Sequence, residues 1–238
     1  MSFSNYEVID GQHETADLTR SFFANVYKYM FLALIVSGGI AWYSARSGWY
    51  IDLVFNAEGG MNPMGYIILF SPIVLVLAIQ ARINKMSFSS AMFLYLTYSI
   101  LIGISLSFIF LIYTSGSIAL TFFVTAGAFG SMALLGYFTK TDLSKMGSLL
   151  YMLFIGMFIA GLANFFMESE MISYVISFMG LFVFTGLTAW EMQRLKGVAA
   201  DPELKAENRT KSELMGGLML YILFINLFMS ILRFVGDR

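Results

Sequence analysis

Five polar residues inside or at the ends of long apolar stretches are the candidates for chemistry: Arg82, Asn164, Glu191, Asn226 and Arg233. A charge at the bilayer centre costs roughly 2.5–3.5 kcal/mol on insertion scales, so ionisable residues in such stretches are functional candidates by default. If Glu191 and Arg82 lie at one level of a helix bundle, the carboxylate and the guanidinium can form a pH-dependent pair. The alternative is that both side chains anchor their helices by reaching water at the membrane surface.

Asn164 and Asn226 are predicted to join helices, because amide side chains in apolar segments commonly hydrogen-bond across helix interfaces. Glycines within the apolar stretches predict positions where helices pack closely. The glycines concerned are Gly38 with Gly39, Gly127 with Gly130, Gly156 with Gly161, and Gly216 with Gly217.

The residue types argue against an enzyme. There is no cysteine, and the one histidine, His13, falls in a polar N-terminal segment. A membrane serine hydrolase, a zinc site or a haem site would need histidine or cysteine within the apolar stretches. The chain also lacks paired aspartates in those stretches and a phosphate-binding glycine loop. We therefore predict no catalytic residues, no metal site and no cofactor.

The elements that must position the polar residues are membrane helices. Of the 238 residues, 58% are hydrophobic and 12% are charged, whereas soluble domains carry roughly 25% charge. The apolar stretches are each close to the length that spans hydrocarbon as a helix. The predicted fold is an all-α polytopic membrane protein, with a polar cytosolic tail (1–21) and a transmembrane domain (22–238). The predicted spans are 24–45, 64–81, 91–113, 117–138, 147–167, 171–190 and 214–235.

The charges predict the orientation. Lysine and arginine concentrate in the N-terminal segment and in alternate loops, which identifies that side as cytosolic. The N-terminus is then cytosolic and the C-terminus lies on the opposite side. Arg82 and Glu191, which close the second and sixth predicted spans, come to the same cytosolic level. The segment 191–213 is interpreted as a solvated cytosolic connection with room for a short helix, and Asp142 as an N-cap or first-turn residue of the fifth span.

Segments in four of the predicted spans resemble the signatures of the Bax inhibitor-1 family, in the family's order. The sixth-span segment resembles the family pattern GLTAYDTQKIK, and the seventh-span segment resembles LYLDFINLF. The resemblance covers nearly the whole chain beyond the tail. The segments are FGSM at 129–132 with GYFTKTDLSKMG at 136–147, ANFF at 163–166, GLTAWEMQRLK at 186–196 and LYILFINLF at 220–228.

The resemblance implies a seven-helix fold in which the last helix is central and the other six surround it. It also implies a pH-sensitive calcium leak and a role in protection from stress. In the family a pair of carboxylates near the cytosolic side governs the leak, with an arginine of the second span as a latch. By position the first carboxylate is Glu191, the arginine is Arg82, and the second carboxylate falls at Leu223.

Leu223 is a departure from the family pattern. Two carboxylates that share a proton titrate as a coupled pair, and here one member is missing. A lone Glu191 facing Arg82 would stay ionised and respond weakly to pH near neutrality. A divalent cation would also lose an oxygen ligand. Glu213 does not obviously replace it, since it lies ten residues before Leu223, about 15 Å along a helix.

Two functions remain open. The first is a regulated, pH-sensitive calcium or cation leak, with calcium as the transported ion. The second is a non-channel modulator of a partner, such as a membrane-bound protease, reached through the tail or the 191–213 segment. A transporter is less favoured because no pair of broken helices marks a midplane site. The expected location is a bacterial inner membrane. The net charge of −1 argues against nucleic acid as a partner.

Overall fold

The apolar stretches fold into helices. The structure is a computed structural model that describes residues 3–56, 60–201 and 204–237, with side chains from Asp17 onward. His13 falls outside the described side chains. The helices are α1 (Phe3–Ser47), α2 (Trp49–Val54), α3 (Pro63–Arg82), α4 (Phe88–Leu106), α5 (Ile109–Ile112), α6 (Ser115–Phe138), α7 (Ser144–Met167), α8 (Glu170–Ala199) and α9 (Ala206–Val235).

Within the described residues, seven helical segments are long and apolar enough to cross a membrane, which confirms the predicted all-α polytopic fold. They are Asp17–Ser47, Pro63–Lys85, Phe88–Ile112, Ser115–Phe138, Ser144–Met167, Glu170–Ala199 and Ala206–Val235. Helices suit a bilayer because they satisfy their backbone hydrogen bonds internally.

Short polar residues begin several of these helices. Asn62, Ser87 and Ser169 each accept a hydrogen bond at the start of α3, α4 and α8 from a backbone N–H three residues further on. Such caps satisfy backbone donors that the first turn leaves unpaired. At the C-terminal end of α7, Glu168 has a φ of 52° and turns the chain before α8 starts.

The interpretation of 191–213 as a solvated connection with at most a short helix is wrong for most of its length. Helix α8 continues to Ala199, eight residues past Glu191, and α9 begins at Ala206. The described backbone of the N-terminal tail is also helical, because α1 begins at Phe3. Glu191 therefore lies within a helix and does not close one.

The chain divides into two compact units. The first comprises the described residues of 1–24, 116–204 and 219–237, and the second those of 25–115 and 205–218. Helices α1 and α9 contribute to both. Of the seven candidate spans α9 is the most buried, with 56% of its most apolar window buried against 11–33% in the others. A high burial is what the resemblance implies for the last helix.

Most of the glycines predicted to lie at close helix contacts do not, and other glycines do. Gly38, Gly39, Gly127, Gly130, Gly156 and Gly161 have open space where a Cβ would be, whereas Gly217 is confirmed, since its Cβ would lie 2.7 Å from Tyr29 Cβ. In the first unit the tight positions include Gly136 against the Ala189 backbone and Gly147 against the Trp190 ring. In the second unit a Cβ on Gly103 would lie 2.7 Å from the Ser37 carbonyl.

Candidate functional site

Glu191 is a buried carboxylate inside a membrane-spanning helix. Its residue is 1% exposed, and it lies in α8 between the buried side chains of Ala189 and Met192. An ionised carboxylate removed from water is costly unless it is paired and hydrogen-bonded. The position therefore requires a cation or a proton.

Arg194 supplies that cation from the next turn of the same helix. Its Nε donates to Glu191 Oε2 at 2.8 Å, and its Nη2 donates to Oε1 at 2.5 Å. The Arg194 side chain is 42% exposed, whereas the Glu191 side chain is 1% exposed. Two parallel bonds from a guanidinium to a carboxylate form a strong and directional pair. The pair thus joins a buried acid to a base that reaches the surface.

Two aromatic rings lie on one side of this ion pair. The Arg194 guanidinium lies 6.0 Å from the centroid of the Trp190 ring. Tyr151 of α7 meets the Trp190 ring edge-on, with centroids 5.3 Å apart. A guanidinium over an aromatic face is attracted by the ring quadrupole. These contacts hold Arg194 toward Glu191 and link the pair to α7.

Arg194 fills the place that the sequence argument gave to Arg82 as the cation of Glu191. Arg82 ends α3, is exposed and belongs to the second unit. Its role as a latch stays a prediction.

Leu223 is buried in the first unit, in the same unit as Glu191. Its residue is 7% exposed and lies between Tyr221 and Phe224, both buried. Within the described part of the chain, no group of three or more histidine, cysteine, aspartate or glutamate residues could hold a metal ion. The described partner of Glu191 is therefore Arg194 and not a second acid.

The residues after Glu191 hold the loop between α6 and α7. Gln193 Oε1 accepts the backbone N–H of Leu143 at 2.8 Å, and Gln193 Nε2 donates to the carbonyl of Thr141 at 2.8 Å. Lys196 Nζ donates to the carbonyl of Tyr137 at 2.9 Å. The loop that carries the predicted fourth-span signature is thus bound directly to the helix that carries Glu191.

Asp142 lies in this loop just before α7, but the predicted cap is wrong, because Leu143 holds the N-cap position of that helix. Asp142 Oδ1 accepts the backbone N–H of Ser144 at 2.9 Å. Hydrogen bonds from the side chain and the backbone of Ser144 lower the pKa of Asp142 below its usual value, so the carboxylate is ionised at neutral pH.

The two predicted asparagine contacts differ. Asn164 Nδ2 donates to Ser173 Oγ at 2.7 Å, and its Oδ1 accepts the N–H of Ser169 at 3.1 Å, so Asn164 joins α7 to α8. Asn226 Nδ2 instead donates to the carbonyl of Ile222 at 2.8 Å within α9. The described hydrogen bond of the Asn226 side chain is therefore intrahelical.

A second buried acid, Glu213, lies in the second unit, where the sequence argument expected a solvated loop. Its residue is 5% exposed. Asn25 Nδ2 of α1 donates to Glu213 Oε2 at 3.1 Å, and Arg209 Nε lies 3.8 Å from Oε1. The signal available in the sequence was Arg209, four residues earlier, because about one helical turn brings opposite charges together.

The comparisons with known proteins agree with these signatures. Residues 19–238 match the family described as "Inhibitor of apoptosis-promoting Bax1". The chain belongs to the Bax inhibitor-1 family.

Relatives in this family cover almost the whole chain. It is similar to "Inner membrane protein YbhL" of Escherichia coli (strain K12), 40% identical over 220 residues, which is 92% of each chain. An uncharacterized protein of Borreliella burgdorferi is 38% identical over 221 residues, 93% of this chain and 94% of its own. "Uncharacterized protein RP147" of Rickettsia prowazekii is 38% identical over 222 residues, 92% and 90% of the two chains.

The described contacts join two of the segments that resemble Bax inhibitor-1 family signatures. The GLTAWEMQRLK segment contains both members of the ion pair, Glu191 and Arg194. It also contains Gln193, which binds the α6–α7 loop, and Lys196, which binds the end of α6 at Tyr137. One family signature therefore binds another through described contacts.

Proposed function

We propose that this Bax inhibitor-1 family protein is a regulated cation leak, with calcium as the ion, in the inner membrane of a bacterium. The observation that supports it is the burial of Glu191 in a helix long enough to span the membrane, with Arg194 as its counter-ion. An intramembrane acid is costly to maintain, and such residues commonly mark ion pathways.

The ion pair is the closed form of this site. While Arg194 holds both oxygens of Glu191, the carboxylate offers no free ligand to a calcium ion. Opening requires the guanidinium to leave. Because the Arg194 side chain is partly exposed, it can rotate toward water and leave Glu191 to a cation or a proton.

The apolar residue at 223 shapes the pH response that we propose. With Leu223 the site lacks the second acid of the family pattern, and Glu191 faces a permanent cation. Arginine does not lose its charge in the physiological range. We therefore expect a weaker dependence of flux on pH near neutrality than in family members with two acids.

Calcium flux in proteoliposomes tests the proposal. Purified protein is reconstituted with a calcium indicator inside the vesicles, and flux is followed over a series of pH values. Glu191→Gln should change the flux, since it removes the charge at the same side-chain size. Glu170→Gln, at an exposed position in the same helix, is the matched control. The absence of flux in the parent protein would overturn the proposal.

The alternative is a non-channel modulator of a membrane partner such as a membrane-bound protease. It is favoured by the contact of Glu191 with Arg194 and by the apolar side chain at 223, which leave no free carboxylate among the described residues of this site. Co-purification from native membranes, with and without residues 1–20, tests this function. A partner lost on truncation supports it, and an unchanged partner set excludes the tail as the binding element.

A further inference from the structure

A cavity of about 300 Å³ lies in the second unit, and Glu191 is not among its lining residues. Its walls come from three helical regions and include Tyr50 and Val54 of α2, Ile68 and Leu69 of α3, and Ser105 and Ile112 of the α4–α5 region. Apolar cavities of about half this volume stay dry and bind benzene-sized molecules. The volume therefore suits an apolar ligand.

One wall is held rigidly by Asn62. Its Nδ2 donates to the carbonyl of Leu53 at 2.9 Å, and its Oδ1 accepts the N–H of Gly65 at 2.8 Å. A Cβ on Gly65 would lie 2.6 Å from the carbonyl oxygen of Val54, so only glycine allows this close approach of α3 to the end of α2. The short helix α2 is thus fixed as one wall of the cavity.

The opposite walls are joined by a hydrogen bond that Pro72 makes possible. Proline has no N–H, so Pro72 leaves the carbonyl of Ile68 without its helical partner. The hydroxyl of Ser105 donates to that carbonyl at 3.4 Å, as does that of Ser71 at 3.2 Å. With its hydroxyl engaged, Ser105 leaves the cavity lining essentially apolar.

The cavity lies near the ends of two membrane spans. Its α3 residues fall within the first seven positions of the span that starts at Pro63, and its α4–α5 residues within the last eight of the span that ends at Ile112. At 1.5 Å per residue these positions lie within about 10 Å of the span ends. Leu69 and Ile112 on its lining are 37% and 45% exposed, so the cavity opens on an exposed apolar surface of the candidate membrane spans.

We propose that this cavity binds a segment of one acyl chain of a membrane phospholipid. The occupant is a lipid chain because the open side is apolar, lies within the membrane spans and is bounded by exposed aliphatic side chains. Losing the burial of even two methylene groups lowers affinity about tenfold, so blocking the cavity should have a measurable effect. This site is independent of the proposed ion leak.

Photocrosslinking in nanodiscs tests the proposal. The nanodiscs contain phosphatidylethanolamine and phosphatidylglycerol, with a small fraction of phosphatidylglycerol that carries a diazirine on one acyl chain. Adducts are mapped by mass spectrometry after irradiation. We expect them to concentrate on the peptides around 65–69 and 105–112.

Two variants block the site in different ways. Ser105→Phe fills the interior of the cavity. Leu69→Trp obstructs its mouth, at a partly exposed position where a larger side chain can be accommodated. Their controls are Ile100→Phe in α4 and Leu77→Trp in α3, both at exposed positions. Adducts on the cavity peptides should fall about tenfold in the two blocking variants and persist in the controls.

The outcomes are distinguishable. Adducts spread evenly over the exposed apolar helix faces, or adducts unchanged by both blocking variants, would overturn the proposal. Thermal unfolding of each variant identifies one that fails to fold. Because Leu69→Trp leaves the interior intact, it decides the question if Ser105→Phe is unstable.

Discussion

Glu191 accepts two hydrogen bonds from Arg194, three residues later on α8, at 2.8 and 2.5 Å. The acid is buried and the base is partly exposed. This asymmetry means that only the arginine can leave the pair without moving the helix. The stability of the pair and the availability of the carboxylate are therefore coupled.

Removal of Arg194 should destabilise the protein. Arg194→Ala leaves a buried carboxylate without its cation, which we expect to cost about 1–3 kcal/mol, less than for a fully buried pair because the guanidinium is partly in water. Arg194→Lys should cost less than alanine, since it keeps the charge but loses the two-point geometry. Thermal unfolding in detergent measures the effect.

A double variant separates pairing from side-chain loss. If the pair is the cause, Glu191→Gln with Arg194→Ala should cost less than the sum of the two single changes. Lys145→Ala, at an exposed position in α7, is the control and should be near neutral. Strictly additive losses would contradict a direct interaction.

Loss of the Gln193 side chain should loosen the α6–α7 loop. Gln193→Ala removes both described bonds to Leu143 and Thr141, each worth about 0.5–1.5 kcal/mol. We expect tryptic cleavage after the exposed Lys140 to become about tenfold faster. Cleavage after Lys205, in the connection before α9, is the internal control and should not change.

An intermediate variant refines that experiment. Gln193→Glu keeps an oxygen that can accept from Leu143 N–H but loses the donor to the Thr141 carbonyl. Its cleavage rate should fall between those of the parent and Gln193→Ala. Equal rates in all three proteins would show that Gln193 does not hold the loop.

Alanine at two glycines should have opposite consequences. Gly136→Ala places a methyl group against the Ala189 backbone, and overpacking of this kind costs about 1–3 kcal/mol. Gly156→Ala meets open space and should be neutral or stabilising by up to about 1 kcal/mol, because alanine is the better helix former. Unfolding temperatures of the two variants measure the contrast, and equal values would refute it.

These glycines show what the sequence can and cannot predict. The spans follow from hydropathy and length, and the family follows from ordered signatures, so both were predictable. Whether a glycine faces a neighbouring helix depends on the rotation of its own helix. The all-round apolar helices of a membrane protein carry little of the periodicity that would reveal that rotation. Gly136 and Gly156 therefore look alike in sequence and differ in the structure.

The ends of the helices were mispredicted around charges. Glu191 and Glu213 were assigned to a solvated segment because an isolated charge is costly in an apolar environment. In the structure each acid has an arginine within one helical turn, Arg194 or Arg209, and the helices continue. The spacing of opposite charges at three and four residues was visible in the sequence. The hydrogen bond between Gln193 and Leu143, fifty residues apart in the chain, was not visible in the sequence.

Restoring an acid at position 223 should restore a pH response. Leu223 is buried in the same compact unit as Glu191 and holds the position of the second carboxylate implied by the family pattern. In Leu223→Asp the two acids would titrate as a coupled pair that shares a proton. Calcium flux in proteoliposomes should then vary with pH near neutrality more steeply than in the parent.

The control for this change is Leu223→Asn, which has the same size and polarity but does not titrate. It should leave the pH profile flat even if it alters the flux, because only an ionisable group can link flux to proton concentration. If Leu223→Asp and Leu223→Asn give the same profile, the difference between this chain and the family pattern does not lie at position 223. If only the aspartate variant gains a pH dependence, the apolar residue accounts for the weak response proposed for the parent protein.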